Sequence, residues 1–84
     1  MNCEIVTIGS ELLHGQIIDT NASYIARTLN SIGLNIVFHT TVGDIYTQIK
    51  DVLFQAKDRT DLVITTGGIG PTEDDLTREA IADV

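Results

Sequence analysis

Three short segments of the chain combine glycine with carboxylates, and each directly follows an apolar run. Gly9 stands two residues before Glu11, Gly43 stands beside Asp44, and the third segment covers residues 67–75. Glycine lets a backbone approach a ligand closely, and N–H groups at the start of a helix attract anions. These segments therefore predict a ligand site, with phosphate or carboxylate as the favoured ligand chemistry.

The third segment predicts a phosphate-binding loop. Gly67, Gly68 and Gly70 would hold a phosphate with their backbone, at the positive end of a following helix. The segment is not a Walker A loop, because no Gly-Lys-Ser/Thr follows, and its glycine spacing differs from that of dinucleotide-binding loops. The alternative is structural: glycine and Pro71 turn the chain, and Thr72 caps the helix.

Three acids follow this loop and predict a cation. Glu73, Asp74 and Asp75 would repel a phosphate unless a divalent cation lay between them. Mg²⁺ is typically held by one or two carboxylates together with substrate phosphates. The alternative is that the acids only stabilise the helix through its dipole and are otherwise solvated.

Other polar residues have structural explanations beside their chemical ones. Asp19 and Asn21 could contact a ligand or cap the next helix. His14 and His39 have no partner at metal-ligand spacing and are interpreted as structural or solvated. Cys3 begins an apolar run and is expected to be a buried, inert thiol.

Hydrophobic periodicity predicts three strands that alternate with three helices. This order implies parallel strands in a layered α/β sheet, whose ligands bind beyond the carboxyl ends of the strands, where all three segments lie. Asp44 is expected to cap the second helix. The expected buried stripes are Ala22, Ile25, Ala26, Leu29 and Ile32 in the first helix, ended by Gly33, and Ile45, Ile49, Val52, Leu53 and Ala56 in the second. The predicted strands are Ile5–Ile8, Leu34–Val42 and Asp61–Thr66, with a helical turn within residues 10–20 and a last helix from Leu76.

Composition excludes several classes of protein. The chain has 84 residues and a net charge of −7, and nine of its 12 acids fall in the second half. An acidic chain is a poor match for nucleic acid or for an anionic membrane surface. One cysteine cannot form an internal disulfide, the N-terminus lacks a basic signal region, and no apolar run approaches a membrane span. We therefore expect a cytoplasmic protein.

The third predicted strand is almost wholly apolar, which is typical of a strand inside a parallel sheet. An exposed apolar edge strand promotes aggregation. We therefore expect the 84 residues to form the front half of a larger domain. A monodisperse, cooperatively unfolding monomer of this chain would contradict that expectation.

Taken together, the motifs resemble a known family. Residues 4–21 (EIVTIGSELLHGQIIDTN), the Val-Gly-Asp of residues 42–44 and residues 61–77 (DLVITTGGIGPTEDDLT) are similar in order and spacing to the opening of CinA, the competence/damage-inducible proteins. The parent superfamily is the molybdopterin-binding domain of MogA and MoaB type. The resemblance spans essentially the whole chain, and its last segment is the most specific.

The resemblance implies a three-layer α/β/α fold that begins in strand order 2-1-3, and a pocket for a phosphorylated nucleotide or pterin. It implies divalent-metal-dependent hydrolysis of ADP-ribose and related nucleotide pyrophosphates, or alternatively a pterin- or nucleotide-binding module without turnover, or a structural fragment that acts through oligomer contacts. Family members continue for about as many residues again within this domain, and they carry a separate C-terminal deamidase domain. We expect both of these parts to be missing here. The resemblance also implies a homo-oligomer. By motif position, the resemblance implies that Asp44 and Asp75 are catalytic and that the ligand contacts are Gly67, Gly68, Gly70, Thr77, Glu11 and Asn21. Combined with the reasoning on the third segment, this predicts Asp44, Asp74 and Asp75 as metal ligands and adds Thr72 to the ligand contacts.

Overall fold

The computed structural model describes residues 1–15 and 20–67, without the side chains of residues 11, 12, 20 and 21. Strands and helices alternate along the described chain, as the hydrophobic periodicity predicts. No described helix is long and apolar enough to cross a membrane. The elements are β1 (Asn2–Ile8), α1 (Ser10–Leu13), α2 (Thr20–Ser31), β2 (Asn35–Val42), α3 (Tyr46–Arg59) and β3 (Leu62–Gly67).

The three described strands form one parallel sheet in the order β2-β1-β3. The predicted α/β class and strand order are confirmed. The chain steps from β1 to β2 in one direction and from β2 to β3 in the other, so right-handed crossovers place α2 and α3 on opposite faces. Within the described strands the central one is β1, whose last six residues are buried, whereas β3 is an edge strand that is partly exposed. The apolar sequence of β3 is typical of a central strand, but among the described strands β3 lies at the edge of the sheet.

A cluster of buried apolar side chains lies between α3 and one face of the sheet. Side chains alternate between the two faces along a strand, so Val6 and Ile8 of β1 point the same way. Both are almost fully buried and pack with Val42 of β2. The helix contributes Ile49, Leu53 and Ala56 at helical spacing, which confirms that part of the predicted stripe.

Helix α2 ends as its sequence predicts. Gly33 has a φ of +91°, which favours glycine. The N–H of Leu34 donates to the carbonyl of Leu29 at 3.0 Å, and the N–H of Gly33 donates to that of Asn30 at 3.2 Å. This pair of bonds is a Schellman motif. Ile32 follows the last helical residue and is 69% exposed, so its assignment to the buried stripe is wrong.

The start of α3 differs from the prediction. Ile45 is the N-cap residue, it makes no side-chain cap bond, and its side chain is largely exposed. It therefore does not belong to the buried stripe. Asp44 does not cap α3, because its Oδ2 accepts the N–H of Ser10 and its Oδ1 accepts no hydrogen bond from the described residues. The backbone of Ile45 is extended, so the helical spacing that would place it on the same face as Ile49 does not apply to it.

A buried ion pair joins β1 to the end of α3. The fully buried carboxylate of Glu4 accepts bonds from Arg59 Nε at 2.8 Å and Nη2 at 3.0 Å, and from the hydroxyl of Thr40 at 2.8 Å. Burial raises the pKa of Glu4, but the bonds and charge of Arg59 and the bond of Thr40 outweigh it, so the pKa is lowered overall. The guanidinium of Arg59 also lies 3.9 Å from the ring centroid of Phe38.

Candidate functional site at the carboxyl ends of the strands

The carboxyl ends of the three strands lie side by side at one edge of the sheet. Gly43 and Asp44 follow β2, Gly9 follows β1, and Gly67 ends β3. Neighbouring strands are separated by about 4.8 Å, so the ends of β2 and β3 lie roughly 10 Å apart with β1 between them. The topology therefore brings the three glycine-containing segments to one edge.

Asp44 connects two of these strand ends. Its Oδ2 accepts the backbone N–H of Ser10, the first residue of α1, at 3.2 Å. The N–H of Gly9 donates to the carbonyl of Val42 at 2.9 Å, which holds the same two segments together. The first N–H groups of a helix have no partner within the helix. Asp44 thus caps α1 from a distant part of the chain.

The second oxygen of Asp44 has a different environment. Oδ1 is buried, and it has no hydrogen-bond partner within the part of the chain that the structure describes. A buried carboxylate oxygen without a partner costs free energy, so proteins usually satisfy such an atom. A cation or a hydrogen-bond donor on a bound ligand would satisfy it. Oδ1 is therefore the described atom best suited to ligand binding at this edge.

Gly67 is required by the approach of β1 to β3. Its φ is +86°, and a Cβ added there would collide with the carbonyl oxygen of Ile8, its partner in the register. A Cβ on Gly43 would lie 3.3 Å from Leu13 Cδ2, which is a tight contact. The close packing of backbone at this edge explains Gly67 without a ligand. Its role in phosphate binding remains a prediction.

A row of three polar side chains crosses the sheet just below this edge. Thr7 Oγ1 lies 3.0 Å from His39 Nε2, and the hydroxyl of Thr66 donates to Thr7 Oγ1 at 3.4 Å. We call these three residues the hydroxyl row. Thr7 is fully buried, whereas Thr66 is partly buried and His39 is exposed. Sequence reasoning did not single out Thr7 or Thr66, because their partners are far away in the chain.

The other predicted site residues are only partly described. Glu11 lies in α1 and Asn21 in the first turn of α2, both of which begin at the same edge, but their side chains are not described. Among the described residues, no three His, Cys, Asp or Glu side chains come together as metal ligands. The remaining predicted residues, Gly68, Gly70, Thr72, Glu73, Asp74, Asp75 and Thr77, together with Asp19 and the last helix, lie outside the described residues.

Comparison with known proteins identifies a family over nearly the whole chain. The family model described as "Probable molybdopterin binding domain" matches residues 4–84. The chain is 55% identical over 84 residues to a protein of Acetivibrio thermocellus named "Putative competence-damage inducible protein". The match includes all of this chain and 20% of that relative, so the chain spans about a fifth of the length of the curated relatives that it matches.

Solved structures agree with the sequence comparison. The crystal structure of the protein CinA from Thermoplasma acidophilum, which is described as having unknown function, matches with a TM-score of 0.90 and 35% identity. That match covers 98% of this chain and 48% of the CinA chain. The molybdopterin biosynthesis enzyme MoaB from Thermus thermophilus matches with a TM-score of 0.84 and 28% identity, over 98% of this chain and 53% of that chain.

Proposed function

The chain belongs to the molybdopterin-binding domain family, and we propose that its strand carboxyl ends bind the phosphate groups of a small phosphorylated nucleotide or pterin. The fold supports this proposal, because ligands of open parallel α/β sheets bind beyond the carboxyl ends of the strands. The three described ends are adjacent and closely packed, and a ligand there would meet Asp44 on one side and Gly67 on the other.

The observation that carries the proposal is that Oδ1 of Asp44 is buried and has no hydrogen-bond partner among the described residues. A carboxylate repels phosphate, so a bare carboxylate oxygen at a phosphate site calls for a cation or a ligand donor between them. Carboxylate oxygen is the ligand type that Mg²⁺ prefers, and Mg²⁺ commonly takes one or two carboxylates together with substrate phosphates. Among the described residues, the buried Oδ1 fits this requirement as one ligand.

We extend the proposal to hydrolysis of nucleotide pyrophosphates such as ADP-ribose. Asp44, Asp74 and Asp75 would hold the divalent cation, and Gly67 with Gly68 and Gly70 would hold a phosphate. When bound, the cation would neutralise charge on the phosphoryl oxygens. A carboxylate at this edge that does not ligate the cation would act as general base and accept a proton from the attacking water. This extension rests on the resemblance of the sequence motifs to the CinA family, which implies that activity.

A second candidate is a binding module that does not turn its ligand over. The family description names molybdopterin binding, and MoaB is among the similar structures. Among the described residues, Asp44 is the candidate carboxylate at the edge. Phosphate recognition by backbone N–H groups needs neither turnover nor a general base.

Calorimetry with ADP-ribose and MgCl₂ tests the shared part of both candidates. We expect the full 84-residue chain to bind ADP-ribose, with weaker binding when MgCl₂ is replaced by EDTA. In Asp44→Asn the side-chain carbonyl can still accept the Ser10 N–H, but the negative charge is lost. We expect its affinity to fall at least tenfold while its thermal stability stays near wild type. Asp51→Asn removes the same charge from the exposed face of α3 and is the matched control.

Product analysis separates the two candidates. Release of AMP in the presence of MgCl₂ would support hydrolysis, and binding without AMP would support the module. Asp75→Asn should lower any hydrolysis by orders of magnitude, and nearly unchanged turnover would remove Asp75 from the site. If ADP-ribose neither binds nor shifts the melting temperature, the proposal is wrong for this nucleotide class, and a structural role through oligomer contacts becomes the favoured explanation.

A further inference from the structure

The hydroxyl row joins all three described strands on the face of the sheet opposite α3. Val6 and Ile8 face α3, so the alternation of a strand places Thr7 on the other face. Thr7 has no exposed surface, and it is a polar residue beside the apolar side chains of Ile5 and Cys3 on the same face. A buried hydroxyl must be hydrogen-bonded to avoid a desolvation cost. The bonds to His39 and Thr66 satisfy it.

Thr7 and Thr66 of the hydroxyl row lie one residue before the strand ends that form the candidate site. Thr7 pairs with Thr66 in the register, and Ile8 pairs with Gly67. Thr66 therefore precedes Gly67, which is the last residue of β3 and has a positive φ. Strand ends fray because they have few packed neighbours, and β3 has only one neighbouring strand among those described. A side-chain bond at Thr66 holds this end against β1.

The chemistry of the row suits positioning better than packing alone. A valine would fill the space of Thr7 and would need no hydrogen-bond partner. The presence of a hydroxyl at this buried position therefore indicates a role for its hydrogen bonds. The bond from Thr66 crosses from β3 to β1, and the contact with His39 crosses from β1 to β2. A displacement of β3 along β1 would stretch the Thr66 bond. The row thus adds a directional restraint to the register, close to Gly67.

We propose that Thr7 is a positioning residue, which holds Thr66 and Gly67 in the geometry that binds phosphate, and that His39 supports Thr7 from β2. The expected effect of Thr7 on phosphate binding rests on the proposed function. Its structural effect on Gly67 can be measured without any ligand. Thr7 does not itself contact the ligand, because it lies below the edge and is fully buried.

Three variants test the proposal. Thr7→Val removes the hydroxyl and keeps the shape, and Thr7→Ser keeps the hydroxyl. Thr41→Val is the matched control, since Thr41 is the partner of Thr7 on β2 and does not belong to the hydroxyl row. We expect Thr7→Val to weaken ADP-ribose binding in MgCl₂ about tenfold, the size of one lost hydrogen bond. Thr7→Ser should stay within about twofold of wild type by the same reasoning, because its hydroxyl remains.

Nuclear magnetic resonance tests the positioning of Gly67 without any ligand. The backbone amide signal of Gly67 should move in Thr7→Val, return towards its wild-type position in Thr7→Ser, and stay in place in Thr41→Val. Thr66→Val removes the other partner of the same hydrogen bond, at a residue that is only partly buried. This variant provides the test if Thr7→Val does not fold. An unmoved Gly67 signal in folded Thr7→Val or Thr66→Val would overturn the positioning role.

The two arms also distinguish the two proposals. If wild type does not bind ADP-ribose but the Gly67 signal follows the expected pattern, the positioning of Gly67 is supported and the proposed function fails. If wild type binds and Thr7→Val binds equally well, the positioning role is overturned and the proposed function survives. A lower melting temperature of Thr7→Val with unchanged affinity would show a purely structural role and would also overturn the proposal.

Discussion

Replacing Glu4 by glutamine should destabilise the protein measurably at pH 7. The carboxylate accepts two bonds from Arg59 and one from Thr40. Hydrogen bonds to a charged group contribute about 1.5–3 kcal/mol, against about 0.5–1.5 kcal/mol for neutral ones. The amide nitrogen of glutamine is also a donor, so at least one of the three bonds must be lost.

Two opposing effects reduce the net loss of stability. The Arg59 side chain is 40% exposed, so water competes for its bonds. Glutamine also avoids the cost of burying a charge. We therefore expect Glu4→Gln to lower the free energy of unfolding by about 1–2 kcal/mol. For a cooperatively unfolding unit of about this length, each kcal/mol shifts the melting temperature by roughly 4–8 °C.

The pH dependence gives the sharper test. The pKa of Glu4 is lowered from its ordinary value of 4.5 in the folded state, so its stabilising effect is present above 4.5 and is lost as pH falls through the folded pKa. Glutamine does not titrate. The difference in stability between wild type and Glu4→Gln should therefore be full at pH 7 and should shrink at a pH well below 4.5.

Urea unfolding followed by circular dichroism over this pH range measures the difference directly. Asp51→Asn removes one negative charge from an exposed position, so it controls for the reduced net charge. Equal stability of wild type and Glu4→Gln at pH 7 would refute the reasoning. A deficit that persists unchanged well below 4.5 would show that shape, not charge, causes the loss.

Two further predictions concern glycine and the core. Gly67→Ala should lower the free energy of unfolding by about 2–3 kcal/mol, because it adds a collision with the Ile8 carbonyl to an unfavourable φ. Gly15→Ala, with a φ of +74° and open space around it, should cost only about 1 kcal/mol. Ile49→Ala should cost about 2–5 kcal/mol because the side chain is fully buried, and exposed Phe54→Ala should stay within about 0.5 kcal/mol. Urea unfolding checks both pairs, and equal losses within either pair would contradict the prediction.

The parts of the fold that depend on local patterns are predictable from sequence. The strands and helices follow hydrophobic periodicity, and α2 ends where Gly33 supplies a positive φ. The failures occur at the ends of periodic runs. Ile32 and Ile45 fit the helical spacing of their neighbours, but each lies just outside its helix, where the backbone no longer directs side chains to the same face.

Contacts between distant residues are not predictable in this way. In the sequence, Glu4 is a charged residue near the N-terminus and nothing nearby predicts its burial. Its burial is explained by the ion pair with Arg59, which follows 55 residues later. Asp44 precedes α3 and is a reasonable cap for it. Its carboxylate instead meets Ser10, 34 residues earlier, because the sheet order places β1 beside β2. Such pairings depend on topology, which periodicity alone does not specify.

The two oxygens of Asp44 therefore have to be explained separately. Capping the first turn of α1 needs one acceptor, and serine or asparagine caps helices about as well as aspartate. Oδ2 accounts for the cap. A charged side chain that leaves Oδ1 buried and without a partner among the described residues costs more than a neutral cap would. The carboxylate is thus better explained by a requirement for negative charge beside the closely packed strand ends, and the cation of the proposed function would meet that requirement.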